Sequence, residues 1–281
     1  MSVLLERKID CHNHVFDPEN FPYQPDRYHP AGHEVSPAEY FLKVLEAYNV
    51  SHALVVGPNS GYGEDDNRAL LDAIERSNGC LKGMAVVSKD VTDETLQSLK
   101  RSGIVGATFN VAFYGEEHFG HAASLMSRLH DHGLLAQIQI QGDQVLSFVD
   151  VLKSTPAQVV IDHCGRPELD QGMDSPAFQA LLSLGQQTQH AIKLSGMAKF
   201  SKQGFPFDDT KPYVDALFAA FGEDRVLWGS DWPFLLAPQR MDYGTLLMLA
   251  EQWFPDPNVR EKYFWRNAVR LFEFEEIEIS K

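Results

Sequence analysis

The stretch KIDCHNHVFD, residues 8–17, places two histidines at the end of a short run that has the character of a strand. Residues two apart on an extended chain point to the same side, so we expect His12 and His14 to face the same way. Two imidazoles on one face can bind a metal ion or stabilise charge that develops on a substrate oxygen. A single His-x-His pair is weak evidence for either role, so its meaning depends on what the rest of the chain places beside it.

Seven further strand-like runs follow, and amphipathic helical stretches separate them. The eight predicted strands are 8–11, 52–56, 82–88, 105–111, 134–140, 158–163, 191–196 and 225–230. Eight strands, each followed by a helix, without a low-complexity linker or an internal repeat, predict a single (β/α)8 TIM barrel over residues 1–281. The alternative is an open doubly wound sheet. That fold would need a glycine-rich phosphate loop after an early strand, and the sequence has none.

Several of the helical stretches carry end signals. The segment SPAE, at residues 36–39, has the form of a capping box with proline at the first helical position, so we expect a helix from there to about Tyr48. Gly79, Gly103 and Gly133 each follow a helical stretch. They suit the left-handed residue that commonly ends a helix.

Composition limits the class of protein and of partner. Lys and Arg number 24 and Asp and Glu 39, which gives a net charge of −15. This charge argues against nucleic acid or an anionic membrane as a main partner, since both bind basic surfaces. The three cysteines have no metal-binding spacing, and no apolar run is long enough to cross a bilayer. We therefore expect a soluble, cytoplasmic protein with a small-molecule partner; its outer face could also support a homo-oligomer.

The strand ends predict the site. In a barrel, the carboxyl ends of the strands open on one face, so residues there meet although they are distant in sequence. The first, sixth and eighth strands end in His12 and His14, in His163 and in Asp231, and these four are the candidate catalytic residues. Cys164 next to His163 suggests a Cys–His nucleophile, but neighbouring residues usually point in different directions, so we favour a structural role for it.

Further polar residues follow the strand ends or lie in the loops on the same face. Two long connections, 15–35 and 199–211, could form rims over the site, and the polar loop GPNSGYGEDDN (57–67) could contact substrate hydroxyls, although such loops are more often only solvated. The candidate substrate-binding residues are Arg166, Lys199, Asn110, Gln139, Ser60, Tyr62 and Arg27.

The motifs IDCHNHVFD (9–17), VVIDHCGRP (159–167), IKLSG (192–196) and RVLWGSDWP (225–233) resemble those of the amidohydrolase superfamily. They look closest to the branch that contains 2-pyrone-4,6-dicarboxylate lactonase and the sugar-lactone hydrolases. The likeness runs from Ile9 to about Phe272, and it implies a distorted (β/α)8 barrel that hydrolyses a lactone ester.

The resemblance also implies a role for each candidate residue. Asp231 would be the general base that activates water, while His12, His14 and His163 would surround the scissile carbonyl. Arg166 and Lys199 would hold a substrate carboxylate. These roles agree with simple chemistry: an aspartate that neighbouring imidazoles and hydrogen bonds keep ionised can take a proton from water, and imidazole donors can stabilise an oxyanion.

One departure from the superfamily concerns metal. Members that bind zinc generally add a histidine from the fifth strand, where this chain has AQIQIQ (136–141), and glutamine is a poor zinc ligand. We therefore favour a reaction that requires no cofactor. The alternative is one divalent ion such as zinc, held by His12, His14 and Asp231, with His163 as a possible fourth ligand.

A second departure concerns the substrate. Thr108 and Lys199 stand where dicarboxylate lactonases of this branch look to have arginine, and Phe234 stands where histidine often follows DWP. Fewer bidentate carboxylate anchors favour a lactone with less charge than 2-pyrone-4,6-dicarboxylate, such as a sugar-acid lactone. The competing hypotheses are a zinc-dependent decarboxylase or amide hydrolase on the same barrel, and a lactone isomerase or a non-catalytic ligand binder.

Overall fold

The structure, a computed structural model, describes residues 2–275. Eight parallel strands pair in sequence order around one sheet, so the predicted barrel is confirmed. The strands are β1 (Ile9–Asn13), β2 (His52–Val56), β3 (Leu81–Ala85), β4 (Ile104–Asn110), β5 (Leu135–Gln139), β6 (Val159–Ile161), β7 (Ala191–Lys193) and β8 (Val226–Leu227). All eight overlap the predicted runs, although β3, β6, β7 and β8 end two or more residues earlier than predicted, since the residues that follow leave the sheet.

Backbone hydrogen bonds close the barrel between the segment after β8 and β1. The Cys11 N–H donates to the Trp228 carbonyl at 3.0 Å, and the Asp231 N–H donates to the His12 carbonyl at 2.8 Å. The His14 N–H donates to the Trp232 carbonyl, also at 2.8 Å. This seam therefore places the chain of Asp231 directly beside the two histidines of the opening motif.

Helices cover the outside of the barrel. They are α1 (Ala38–Ala47), α2 (Arg68–Arg76), α3 (Asp93–Arg101), α4 (Val111–Tyr114), α5 (Ala122–Asp131), α6 (Gln144–Ser154), α7 (Pro176–Gln187), α8 (Lys211–Phe221), α9 (Tyr243–Trp253), α10 (Pro257–Glu261) and α11 (Asn267–Phe272). Their apolar faces pack against the outward-facing strand residues in one large buried cluster. A smaller cluster joins Leu54, Met84 and Leu227 of the strands to Trp265 and Phe272. Within residues 2–275, none of the helices combines the length and apolar character required to cross a bilayer.

The predicted capping box at residues 36–39 is wrong. Helix α1 begins at Ala38 without a side-chain cap. The Ser36 hydroxyl instead accepts a hydrogen bond from the Trp232 indole N–H at 2.6 Å, and its backbone pairs with Phe16. Ser36 thus ties the first long connection to the segment after β8. The helix-ending glycines are confirmed, since Gly79, Gly103 and Gly133 have φ of 87°, 90° and 61°.

Candidate active site

The structure brings the four candidate catalytic residues together at the carboxyl ends of the strands. The Asp231 Oδ1 atom lies 3.6 Å from His163 Nε2 and 3.9 Å from the Nε2 atoms of both His12 and His14. The Asp231 side chain is only 4% exposed. Three imidazoles therefore face one carboxylate oxygen, as the strand-end argument predicted, while their catalytic roles stay predictions.

Asp10 fixes the backbone on both sides of this arrangement. Its buried carboxylate accepts hydrogen bonds from the His12 N–H at 3.1 Å and from the Ser230 N–H and hydroxyl at 2.9 and 2.6 Å. The Tyr243 hydroxyl of α9 adds a fourth at 3.0 Å. Burial raises the pKa of Asp10, and the hydrogen bonds oppose that rise. Because Ser230 precedes Asp231, the Asp10 side chain fixes the backbone of Asp231 relative to that of His12.

The imidazoles are neutral near pH 7. Burial, aided by neighbouring cations, lowers the pKa of His12 and of His163 well below the ordinary value of 6.5. Burial also lowers the pKa of His14. The His14 Nδ1 atom lies 2.8 Å from the Val56 carbonyl oxygen, which can only accept. Nδ1 therefore carries the His14 proton, and its Nε2 faces Asp231 as a hydrogen-bond acceptor.

A buried polar network lies directly behind His12, and the sequence analysis missed it. The Lys193 Nζ atom donates to Gln137 Oε1 at 2.7 Å and lies 3.0 Å from Asp162 Oδ1. Asp162 Oδ2 in turn accepts from Gln137 Nε2 at 2.8 Å. The signal was present in the sequence, since a lysine inside the apolar run AIKL and an aspartate ending VVID are both unusual in barrel strands, where charged side chains are costly to bury.

Above Asp231 lies a cavity of about 380 Å³, a volume suited to a small molecule. Seven polar residues from different strand ends and loops line it, together with Asp231 and two of the three histidines. They are Asn59, Ser60, Thr108, Asn110, Gln139, Arg166 and Lys199. Apolar side chains of Phe113, Leu235 and Leu236 form part of the same wall.

Arg166 is a partly buried cation whose side chain makes no hydrogen bond or ion pair within residues 2–275. Its Nε atom is buried and makes no hydrogen bond to any residue that the structure describes. Burial lowers the pKa of Arg166, while Asp231 and Asp162 oppose the shift. Arginine remains protonated in proteins, so an unpaired guanidinium in a cavity wall favours an anionic group in the ligand.

Lys199 is the charged partner of Asp231. Its Nζ atom lies 3.2 Å from Asp231 Oδ2 and also donates to the Leu235 carbonyl. We expected the imidazoles to keep Asp231 ionised, and this expectation is corrected in part. The imidazoles are neutral and at least 3.6 Å away, so the nearest positive charge comes from the lysine.

Two predicted substrate-binding residues lie elsewhere. The Tyr62 hydroxyl accepts from the Asp17 N–H at 3.0 Å, and the ring packs against Phe16 in a buried cluster. Arg27 donates to the Tyr114 hydroxyl at 3.0 Å. Neither is among the cavity-lining residues of the described chain. Gly61, with φ of 76°, turns the loop between Ser60 and Tyr62, so only the former reaches the cavity.

The structure also changes the predicted metal ligands. One atom each from His12, His163 and Asp231 lies within 4.8 Å of the others, a spacing that could hold a metal ion, whereas His14 is outside this group. The spacing fits a divalent ion. The surroundings oppose one, because Lys199 already contacts Asp231 and Lys193 lies 3.2 Å from His12 Nδ1.

Comparisons with known proteins agree with this architecture. The family profile described as Amidohydrolase matches residues 9–274. A 4-sulfomuconolactone hydrolase of Rhizobium radiobacter is 34% identical over 94% of this chain and 89% of its own length. A 2-pyrone-4,6-dicarboxylate hydrolase of Comamonas testosteroni is 29% identical over 96% and 91%.

Among solved structures, a probable 2-pyrone-4,6-dicarboxylic acid hydrolase of Acinetobacter baumannii, with citric acid bound, superposes with a TM-score of 0.84. It is 26% identical, and the match covers 95% of this chain and 99% of that one. The family profile spans nearly the whole chain, and each of the two relatives matches more than nine-tenths of it. The chain belongs to the amidohydrolase family.

Proposed function

We propose that this chain is a lactonase that opens the ester ring of a small anionic lactone, with water activated by Asp231 and without a metal ion. The carrying observation is the position of Asp231, which faces three neutral imidazoles under a cavity whose wall holds the unpaired Arg166. The relatives named as lactone hydrolases support the reaction class, and they act on sulfonated or carboxylated lactones according to their names.

Asp231 and His14 are suited to hold the attacking water. The water donates one hydrogen bond to the Asp231 carboxylate and the other to the bare Nε2 of His14, which leaves an oxygen lone pair free for attack. As the oxygen bonds to the lactone carbonyl carbon, its proton passes to Asp231. When the ring C–O bond breaks, that proton passes to the leaving oxygen and restores the carboxylate.

His12 and His163 are suited to stabilise the oxyanion that forms in this step. Both imidazoles are buried and direct Nε2 towards the space beside Asp231 Oδ1. As neutral Nε2–H donors, they stabilise negative charge on the carbonyl oxygen without a change of protonation, and loss of one such donor typically costs about 100-fold or more in rate.

Arg166 is suited to select the ligand. The cations Lys199 and Lys193 lie 3.2 and 3.0 Å from carboxylate oxygens of Asp231 and Asp162, whereas the Arg166 side chain makes no ion pair within residues 2–275. A carboxylate or sulfonate on the lactone would pair with the Arg166 guanidinium at the cavity wall. The apolar wall residues then face the ring of the lactone.

If a divalent ion were bound, His12, His163 and Asp231 would hold it, and it would polarise the carbonyl and lower the pKa of a bound water. We favour a reaction that these residues catalyse without a metal ion. The test is metal analysis of protein purified without added metal, with activity measured on carboxylated, sulfonated and uncharged lactones with and without chelator. A pH indicator reports hydrolysis, and product analysis detects isomerisation.

We expect metal-free protein that acidifies the medium with anionic lactones and is insensitive to chelator. One zinc per chain with chelator-sensitive activity would overturn the metal-free mechanism and favour a zinc-dependent decarboxylase or amide hydrolase. Rearranged lactone without acid release would instead identify an isomerase.

A further inference from the structure

The hydrogen-bond donors and acceptors around Lys193 indicate which ring nitrogen of His12 carries the proton. The lysine side chain is fully buried and has three N–H donors. Within the described chain, three acceptor atoms lie in reach of Nζ: Gln137 Oε1 at 2.7 Å, Asp162 Oδ1 at 3.0 Å and His12 Nδ1 at 3.2 Å. All three donors are satisfied only if the imidazole nitrogen accepts.

The opposite tautomer leaves a buried donor unpaired. His12 Nδ1 also lies 3.2 Å from Asp162 Oδ1, so a proton on Nδ1 could be donated to that carboxylate. The third N–H of Lys193 would then face another N–H, and an unsatisfied donor on a charged group is expensive to bury. Asp162 does not require the His12 proton, because its Oδ2 accepts from Gln137 and its Oδ1 lies 3.0 Å from the Lys193 ammonium group.

The surroundings of His12 Nε2 also favour a proton on that nitrogen. His12 Nε2 is buried without a hydrogen-bond partner among residues 2–275, and its nearest carboxylate oxygen is Asp231 Oδ1 at 3.9 Å. An N–H on Nε2 is attracted to this negative charge. The bare Nε2 of His14 lies at the same distance from Asp231, but there the Val56 carbonyl holds the proton on Nδ1.

We propose that Lys193 is a positioning residue that fixes His12 in the tautomer with its proton on Nε2, and so keeps His12 a hydrogen-bond donor and prevents it from becoming a metal ligand. A metal ion needs a bare Nε2, and the protein can supply one only by moving the His12 proton to Nδ1 and breaking the hydrogen bond from Lys193. The inference rests on the proposed role of His12 in lactone hydrolysis, but its test does not use turnover.

The decisive measurement is the long-range ¹H–¹⁵N correlation pattern of the His12 ring, which distinguishes the two tautomers. The signals are assigned by their absence in His12→Gln, and spectra are recorded near pH 7.5, where the ring is neutral. We expect a protonated Nε2 and a bare Nδ1 in the unaltered protein. A protonated Nδ1 would overturn the proposal without any further variant.

Substitution of Lys193 tests whether this lysine sets the tautomer of His12. In Lys193→Met, the proton is expected to move to Nδ1 and be donated to Asp162, whereas Asp162→Asn keeps the lysine and should retain the Nε2 proton. Retention of the Nε2 proton in a folded Lys193→Met protein would show that Lys193 does not set the tautomer.

Zinc affinity, measured by titration of the apo-proteins with zinc alone, provides a second readout. Partners behind a ligating histidine typically change metal affinity 10- to 100-fold, so we expect Lys193→Met to bind zinc about tenfold or more tightly than the unaltered protein. Equal affinities would contradict the proposal. Lys8→Met is the matched control, since Lys8 is also fully buried but donates to the Val3, Leu4 and Glu6 carbonyls away from the site. It should change neither the His12 pattern nor zinc binding.

Failure of this inference and failure of the proposed function are distinguishable. A protein that hydrolyses lactones with a protonated Nδ1 on His12 keeps its function and loses the role of Lys193. A protein that has the expected tautomer but does not hydrolyse lactones keeps the role of Lys193 and loses the proposed function.

Discussion

The imidazole of His163 packs directly against the backbone of Gly196. A β-carbon built on Gly196 would lie 2.3 Å from His163 Nδ1, and the glycine has φ of 66°. The neighbouring Ser195 Oγ lies 3.2 Å from the same nitrogen. The SG pair after β7 therefore determines where the His163 ring lies relative to Asp231.

Gly196→Ala should displace His163 and reduce kcat by at least about tenfold, because the donor geometry at the oxyanion would be lost. Steady-state kinetics with an anionic lactone provide the measurement. Gly172→Ala is the control, since Gly172 has φ of 76° but no atom within 4 Å of an added β-carbon. Gly172→Ala should introduce similar backbone strain with little effect on kcat. An equal decrease in kcat in both variants would mean that backbone strain alone causes the effect.

Asp231→Asn should lower kcat by at least about 100-fold while the fold is retained, because asparagine cannot take the proton from water. Asp231 has φ of 60°, and asparagine tolerates this left-handed conformation, so the backbone should not change. Circular dichroism and thermal unfolding would verify the fold, and Asp150→Asn on the exposed face of α6 serves as the surface control. Near-normal turnover would exclude Asp231 as the base.

Arg166→Ala should raise KM more than it lowers kcat, because its guanidinium binds the anionic group in the ground state and the transition state alike. Charge-assisted hydrogen bonds contribute about 1.5–3 kcal/mol, so we expect a loss of roughly 10- to 100-fold in kcat/KM for an anionic lactone. The same variant should lose little with an uncharged lactone. An equal loss with both substrates would place Arg166 in the chemical step instead.

The free energy of unfolding should decrease as the pH falls from 7 to 5. Burial lowers the pKa of His12, His14 and His163 in the folded state, and the value in the unfolded chain is near 6.5. Below 6.5 the unfolded chain binds protons that the folded protein does not, so stability that is complete above this pH is progressively lost below it. Each such histidine contributes up to about 1.4 kcal/mol per pH unit.

Urea unfolding at several pH values between 5 and 7 would measure this slope. Burial also lowers the pKa of His52, His121 and His190, so His163→Gln removes one of six such histidines and should make the dependence shallower. The carboxyl groups with lowered pKa values start from 4.5 or 3.8, so they affect stability mainly at lower pH. They are Glu34, Glu46, Asp66, Asp93 and Asp224. An unchanged slope in His163→Gln would mean that His163 does not remain neutral in the folded protein.

The sequence by itself determined the barrel and the identity of its central site. Strand runs and helix ends depend on local preferences, so eight β/α units could be counted, and parallel topology then required His12, His14, His163 and Asp231 to meet at one end. The family resemblance, confirmed by the match over residues 9–274, added the expected chemistry.

The tertiary structure alone decided which polar residues face the cavity and which protons they carry. Tyr62 and Arg27 turn away from the cavity because of the path of their loops, and no local signal in the sequence specifies that path. The pairing of Lys193 with Asp162 and His12 joins three strands, so it exists only once β1, β6 and β7 are assembled around the barrel axis. Tautomers and buried charge pairs depend on distances across the barrel, and these distances are set by packing.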